Sequence, residues 1–217
     1  MISRSPGIAA AVAALIFAGA AGAQYFGQNK VRYRTLNFEV LKTEHFDIYY
    51  DAEAKEMAVK IGRMAERWYA RLASVLEWEL SSRQPLIIYA SHPDFRGTTA
   101  IPGYIGETTG GVTEGLRRRV VMPLTGTLAE TDHVLGHELV HAFQFDISTR
   151  PGPMGGSGLP GVLRLPLWFV EGMAEYLSLG PVDPHTAMWL RDAVRREAVP
   201  LIRRLDDPQY FPYRYGH

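Results

Sequence analysis

The chain has 217 residues, with 23 basic and 23 acidic side chains, and is 47% hydrophobic against 21% charged. That length suits one domain with a real core, and the balanced charge provides no global field to recruit nucleic acid or an anionic membrane surface. With no cysteine, thiol catalysis, disulfide frameworks, thiolate metal sites and a lipoprotein anchor are excluded.

Residues 1–23 read as a cleaved signal peptide. Arg4 supplies a positive start, residues 8–20 are apolar, and Ala21-Gly22-Ala23 is an A-x-A cleavage site. The apolar stretch is short and rich in Ala and Gly, unlike the ~20 strongly apolar residues of a bilayer span. The mature chain is expected to start near Gln24 and to work outside the cytoplasm.

Two strands are predicted next, at 37–41 and 45–50. In the second, Phe46, Ile48 and Tyr50 alternate with His45, Asp47 and Tyr49, the period of a half-buried strand. A long amphipathic helix follows over 52–80, where Met57, Ile61, Met64, Trp68, Leu72, Val75 and Trp78 recur every three or four residues. Residues 85–90 read as a buried strand. The Gly/Thr-rich stretch 91–115 reads as a long loop, expected to wall a substrate cleft. A strand at 117–122 opens with Arg117, Arg118 and Arg119, whose charges suit a solvated sheet edge that resists further pairing.

Thr127 and Glu130 form a T-x-x-E capping box, which predicts a helix over 128–146. A Gly/Pro-rich connection covers 148–166, a second helix 167–180, and a further helical pattern 184–198. The final residues, from Pro208 onward, are aromatic, and the chain is expected to continue beyond His217.

The chemistry concentrates on two of these helices. His137-Glu138-Leu139-Val140-His141 matches H-E-x-x-H, and on a helix positions i and i+4 project from one face, so both imidazoles can reach one zinc ion. Glu138 lies ~100° around that helix, beside the position left for water, where it can act as a base. Glu130, His133, His137, His141 and Gln144 form one stripe, opposite Leu128, Leu135, Leu139 and Ala142. Burying such a stripe is costly unless something satisfies it; a metal would, and the alternative is a solvent-facing polar side. Zinc needs a third protein ligand. Position 144 holds Gln144 and position 147 holds Ile147, so the Gly and His of the metzincin extension are absent. The segment Trp168-Phe169-Val170-Glu171-Gly172-Met173-Ala174-Glu175-Tyr176 instead offers two carboxylates on one face of an apolar helix. One as ligand and one as a histidine-orienting partner would relieve their mutual repulsion. Gly172 weakens that helix by about 1 kcal/mol relative to Ala, which predicts close approach to the histidine helix.

HELVH followed by WFVEGMAEY resembles the gluzincins, the peptidase MA-like group, whose pattern is H-E-x-x-H and then W-x-x-E-G-x-A-E. The resemblance implies zinc held by His137, His141 and Glu171, Glu138 as base, and Glu175 outside the ligand set, hydrogen-bonded to a ligand histidine. It implies an α+β, zincin-like fold: a small mixed sheet with a long packing helix and two metal-bearing helices. The opening QYFGQNKVRYRTLNFEVLKTEHFDIYYD looks like large exported bacterial proteins with such a domain ahead of a TolB-like β-propeller. The implied activity is peptide-bond hydrolysis on a peptide or protein substrate. No G-x-M-E-N motif occurs, so exopeptidase activity is unsupported. Such relatives often stabilise the oxyanion with a downstream Tyr or His, for which Tyr210, Tyr213, Tyr215 and His217 are candidates. The rival expectation is a non-catalytic zinc- or partner-binding module of a larger envelope protein, to which an intact Glu138 would be of no use.

Overall fold

The computed structural model describes residues 30, 34–115, 117–149 and 164–205. The expected signal peptide, most of the Gly/Pro-rich connection and the aromatic C-terminal segment lie outside the described residues. These residues form a mixed α+β structure built on five strands: β1 (Phe38–Lys42), β2 (Phe46–Asp51), β3 (Gln84–Tyr89), β4 (Val112–Glu114) and β5 (Arg119–Pro123). Five helices accompany them: α1 (Lys55–Leu76), α2 (His92–Arg96), α3 (Leu128–Thr149), α4 (Leu167–Leu179) and α5 (Pro184–Arg195).

The sheet order is β1-β2-β3-β5-β4. The outer pairs, β1 with β2 and β4 with β5, are antiparallel, and the central pairs are parallel. Because successive side chains leave a strand on opposite faces, the central strands β3 and β5 feed two cores. Phe46, Ile48, Leu86, Ile88, Val120 and Met122 meet Ile61, Ala65 and Leu72 of α1 and Leu135, Leu139 and Phe143 of α3. On the reverse face, Tyr89 and Val121 pack with Phe95 of α2 and with Ile101 and Ile105.

Helix α1 buries small residues, Ala58, Gly62 and Ala65, between the expected Ile61, Trp68 and Leu72. Val75, expected in the apolar stripe, is instead exposed. The helix ends at Leu76 rather than 80: Glu77 turns left-handed at φ 48° and Trp78 N donates to Ala73 O, while Trp78 and Leu80 still rest on the core. Where α1 crosses α3, Gly136 admits the Trp68 indole; a Cβ there would fall 2.6 Å from the ring. Asp132 of α3 accepts from Trp68 Nε1 and from Arg67, both at 2.9 Å.

Two expectations are corrected. The stretch 91–115 contains α2 and β4. Helix α2 is too short to show a period, yet Ser91 Oγ caps it by accepting from Asp94 N, with Pro93 in its first turn. Three-residue β4 carries no alternation and exists because β5 offers it an edge. The arginines do not mark a free edge. Strand β5 begins at Arg119 and lies between β3 and β4; Arg119 pairs with Glu114 across the ladder, and Arg118 pairs with Asp146.

Helix α3 starts with the expected reciprocal capping: Glu130 N donates to Thr127 Oγ1 at 3.1 Å, and Thr127 N donates to Glu130 Oε2 at 3.2 Å. It runs to Thr149, a turn past the expected end. Helix α4 stops where Gly180 caps it at φ 89°, and α5 ends at Arg195, short of the expected 198. Among the described residues no helix is long and apolar enough to cross a membrane.

Candidate metal centre

Helices α3 and α4 pack side by side and, with β4, enclose a cleft of about 620 Å³. Gly110, Gly111, Val112 and Thr113 form the sheet-side wall; His133, His137, Glu138 and His141 rise from α3, and Glu171 and Glu175 from α4. All five residues singled out in the sequence therefore converge. The aromatic candidates Tyr210, Tyr213, Tyr215 and His217 lie outside the described residues.

The i, i+4 spacing brings His137 Nε2 and His141 Nε2 to 3.1 Å. Glu171 Oε2 stands 3.2 Å from the first and 3.5 Å from the second. Ligand atoms arranged tetrahedrally about 2.0–2.1 Å from a zinc-sized ion are roughly 3.3 Å apart, so this triangle fits one face of such a tetrahedron.

The partners of the other ring nitrogens decide which atoms face inward. Gln144 Nε2 donates to Val170 O at 3.0 Å, which turns its Oε1 toward His141 Nδ1 at 2.8 Å. That nitrogen is then the donor, and Nε2 keeps the lone pair. Glu175 Oε1 lies 3.3 Å from His137 Nδ1, so each ring nitrogen of His137 faces a carboxylate. The other oxygen of Glu175 meets His133 Nε2 at 3.0 Å. His137 Nε2, His141 Nε2 and Glu171 Oε2 thus turn toward one another, an arrangement that a proton on His137 or a cation among the three satisfies.

The electrostatics agree. Burial pushes the His137 imidazole down, but hydrogen bonds to Glu171 and Glu175 and the charge of Glu138 outweigh it and raise it to about 10. Burial pushes Glu171 and Glu175 up, and their histidine partners outweigh it, bringing each carboxyl down to about 2. The surroundings favour positive charge at His137, and a divalent cation can take the place of its proton. His133, His137 and Glu175 form a second cluster of potential ligands, but it shares His137 with the first. The Nδ1 of His137 that faces Glu175 serves that carboxylate as a donor, which suits a supporting role for Glu175 and His133.

Glu138 is 6% exposed, and burial raises its carboxyl above the ordinary range against the charges of His137 and His141 and a hydrogen bond from Thr113. Its Oε2 lies 2.6 Å from Thr113 Oγ1. Gly111 stands against the same carboxylate: a Cβ there would fall 2.8 Å from Glu138 Cγ and Oε1. Sequence reasoning missed Thr113 and Gly111 as individuals, and the Gly110-Gly111 pair was the one signal that a backbone must pass close to something.

Gly172 corrects an expectation. Among the described residues a Cβ at Gly172 would meet nothing within 4 Å, so close approach to α3 does not explain it, and nothing else among them does. The close approach on α3 belongs to Gly136, on the side facing α1. Comparison with known protein families, with curated proteins and with solved structures finds no match for this chain.

Proposed function

We propose that this chain is a zinc-dependent peptidase domain of gluzincin type that hydrolyses peptide bonds outside the cytoplasm. The observation that carries the reading is the convergence of His137 Nε2, His141 Nε2 and Glu171 Oε2 at 3.1–3.5 Å, beside the buried carboxylate of Glu138 in an open cleft. A sheet edge above the histidine helix, with the third carboxylate on the next helix, supports a zincin-like arrangement. The signal-like residues 1–23 support export, and the opening segment supports a longer parent chain with a β-propeller.

His137, His141 and Glu171 would hold zinc, with Glu175 and Gln144 fixing the two imidazoles. Bound zinc supplies a Lewis acid that acidifies a water and polarises the scissile carbonyl. Glu138 takes the proton of the attacking water on its carboxylate and delivers it to the leaving amine nitrogen. Among the described residues strand β4 has β5 on one side only, and its other edge can pair with an extended peptide through backbone hydrogen bonds.

Purified protein is expected to hold one zinc per chain and to cleave members of a peptide library, with activity lost to a chelator and restored by zinc. Glu138→Gln should retain the metal while turnover falls about 10²–10⁴-fold. Unchanged turnover in that variant would reject Glu138 as base. A wild type that binds zinc and cleaves nothing would favour the non-catalytic binding module.

A further inference from the structure

We infer that Thr113 is a positioning residue for Glu138, so that the sheet edge lining the cleft also sets where the base's carboxylate stands. This rests on Glu138 being the base. Thr113 faces Val120 in the β4–β5 ladder, and Val120 lies in the core beneath α1 and α3, so the two side chains share the helix-side face. The Thr113 hydroxyl reaches two acceptors of one residue: Glu138 Oε2 at 2.6 Å and the Glu138 peptide oxygen at 2.9 Å. A single side chain therefore touches both the carboxylate and the backbone of the base and holds the one against the other.

Gly111 completes the cradle. A Cβ there would fall 2.8 Å from Glu138 Cγ and Oε1, so the carboxylate occupies space that only glycine leaves. Oε2 is tied to Thr113, while Oε1 lies against bare backbone in the cleft wall. A carboxylate with one oxygen anchored has a single orientation to offer a reacting water, and losing that anchor lets the side chain leave the reactive geometry. The strand that would pair with a peptide thus also carries the group that aims the base.

The test compares Thr113→Val, which keeps shape and loses the hydroxyl, with Thr113→Ser, which keeps the hydroxyl. With one zinc retained, Thr113→Val should lower kcat about 10- to 100-fold with KM changed less than about twofold, and Thr113→Ser should recover most of the loss. In a Glu138→Gln background, Thr113→Val should change the residual rate by less than about twofold, because its effect runs through the carboxylate. A peptide hydroxamate, whose N-hydroxyl group hydrogen-bonds to the base carboxylate, gives a readout without turnover. Its affinity should fall about tenfold in Thr113→Val and hold in Thr113→Ser. Gly111→Ala, which displaces the carboxylate and removes no donor, should weaken the hydroxamate likewise, and it decides the matter if Thr113→Val fails to fold. Wild-type kcat and hydroxamate affinity in Thr113→Val, or an undiminished loss in the Glu138→Gln background, would overturn the proposal. A wild type that holds zinc and turns over no peptide would overturn the peptidase reading instead, leaving the hydroxamate comparison to judge Thr113.

Discussion

Helix α3 carries two polar clusters, one around buried Asp146 and one around buried His141. Near its C-terminal end, Asp146 accepts from Trp78 Nε1 at 2.9 Å, Ser81 N at 3.1 Å and Ser81 Oγ at 2.7 Å, and it pairs with the Arg118 guanidinium. Every contact of that carboxylate is a protein donor, and together they tie α3 to the segments leading into β3 and β5. His137 and His141, with Glu171 from α4, do the opposite: they gather three possible ligand atoms around one point that a proton or a cation can fill, while their outer nitrogens are held by Glu175 and Gln144. Each cluster has a buried polar member, Asp146 in one and His141 in the other, so burial alone says nothing of function. The balance of donors and acceptors separates a strut from a binding site.

The sharpest way to break that comparison is to remove one member from each cluster. Asp146→Ala strands the donors around it and should lower stability by about 3–5 kcal/mol, read in denaturant unfolding. His141→Ala should abolish stoichiometric zinc while leaving the metal-free protein far closer to wild type in the same unfolding measurement. Equal losses of metal-free stability would show that the histidine cluster is a second strut.

A smaller effect sharpens the division within the metal cluster. Outer partners of a ligand typically contribute about 10–100-fold to metal affinity, so Glu175→Ala should weaken zinc by that amount, whereas Glu171→Ala should fail much more severely. Zinc titrations of the two variants decide it. If Glu175→Ala proved the worse, the set formed by His133, His137 and Glu175 would be the ligand set.

The smallest effects concern the two glycines of the paired helices. Gly136→Ala forces a Cβ into the Trp68 ring and should cost about 1–3 kcal/mol. Gly172→Ala enters open space in a helix interior and should stabilise by up to about 1 kcal/mol. Thermal unfolding of the two variants checks both signs; destabilisation by Gly172→Ala would mean that α4 packs more tightly than it does here.

Much of this was legible locally. The alternation of Phe46, Ile48 and Tyr50, the Thr127–Glu130 box and the Gly180 stop each rest on interactions within a few residues, and each forms as expected. The approach of His137 to His141 is of the same kind, because helical geometry alone puts i and i+4 on one face. What the sequence could not determine depends on partners distant along the chain. Arg118 reads as part of a bare edge because Asp146, which pairs with it, is brought there only by the packing of α3 against the sheet. Strand β4 has no pattern of its own and takes its form from β5. Only the packing of α4 on α3 brings Glu171 Oε2 to the two Nε2 atoms and turns Glu175 toward Nδ1 of His137 and toward His133, and only the seating of β4 over α3 brings Thr113 to Glu138. A periodic pattern reports which face a residue occupies, whereas the distance between two faces is set by the volumes packed between them.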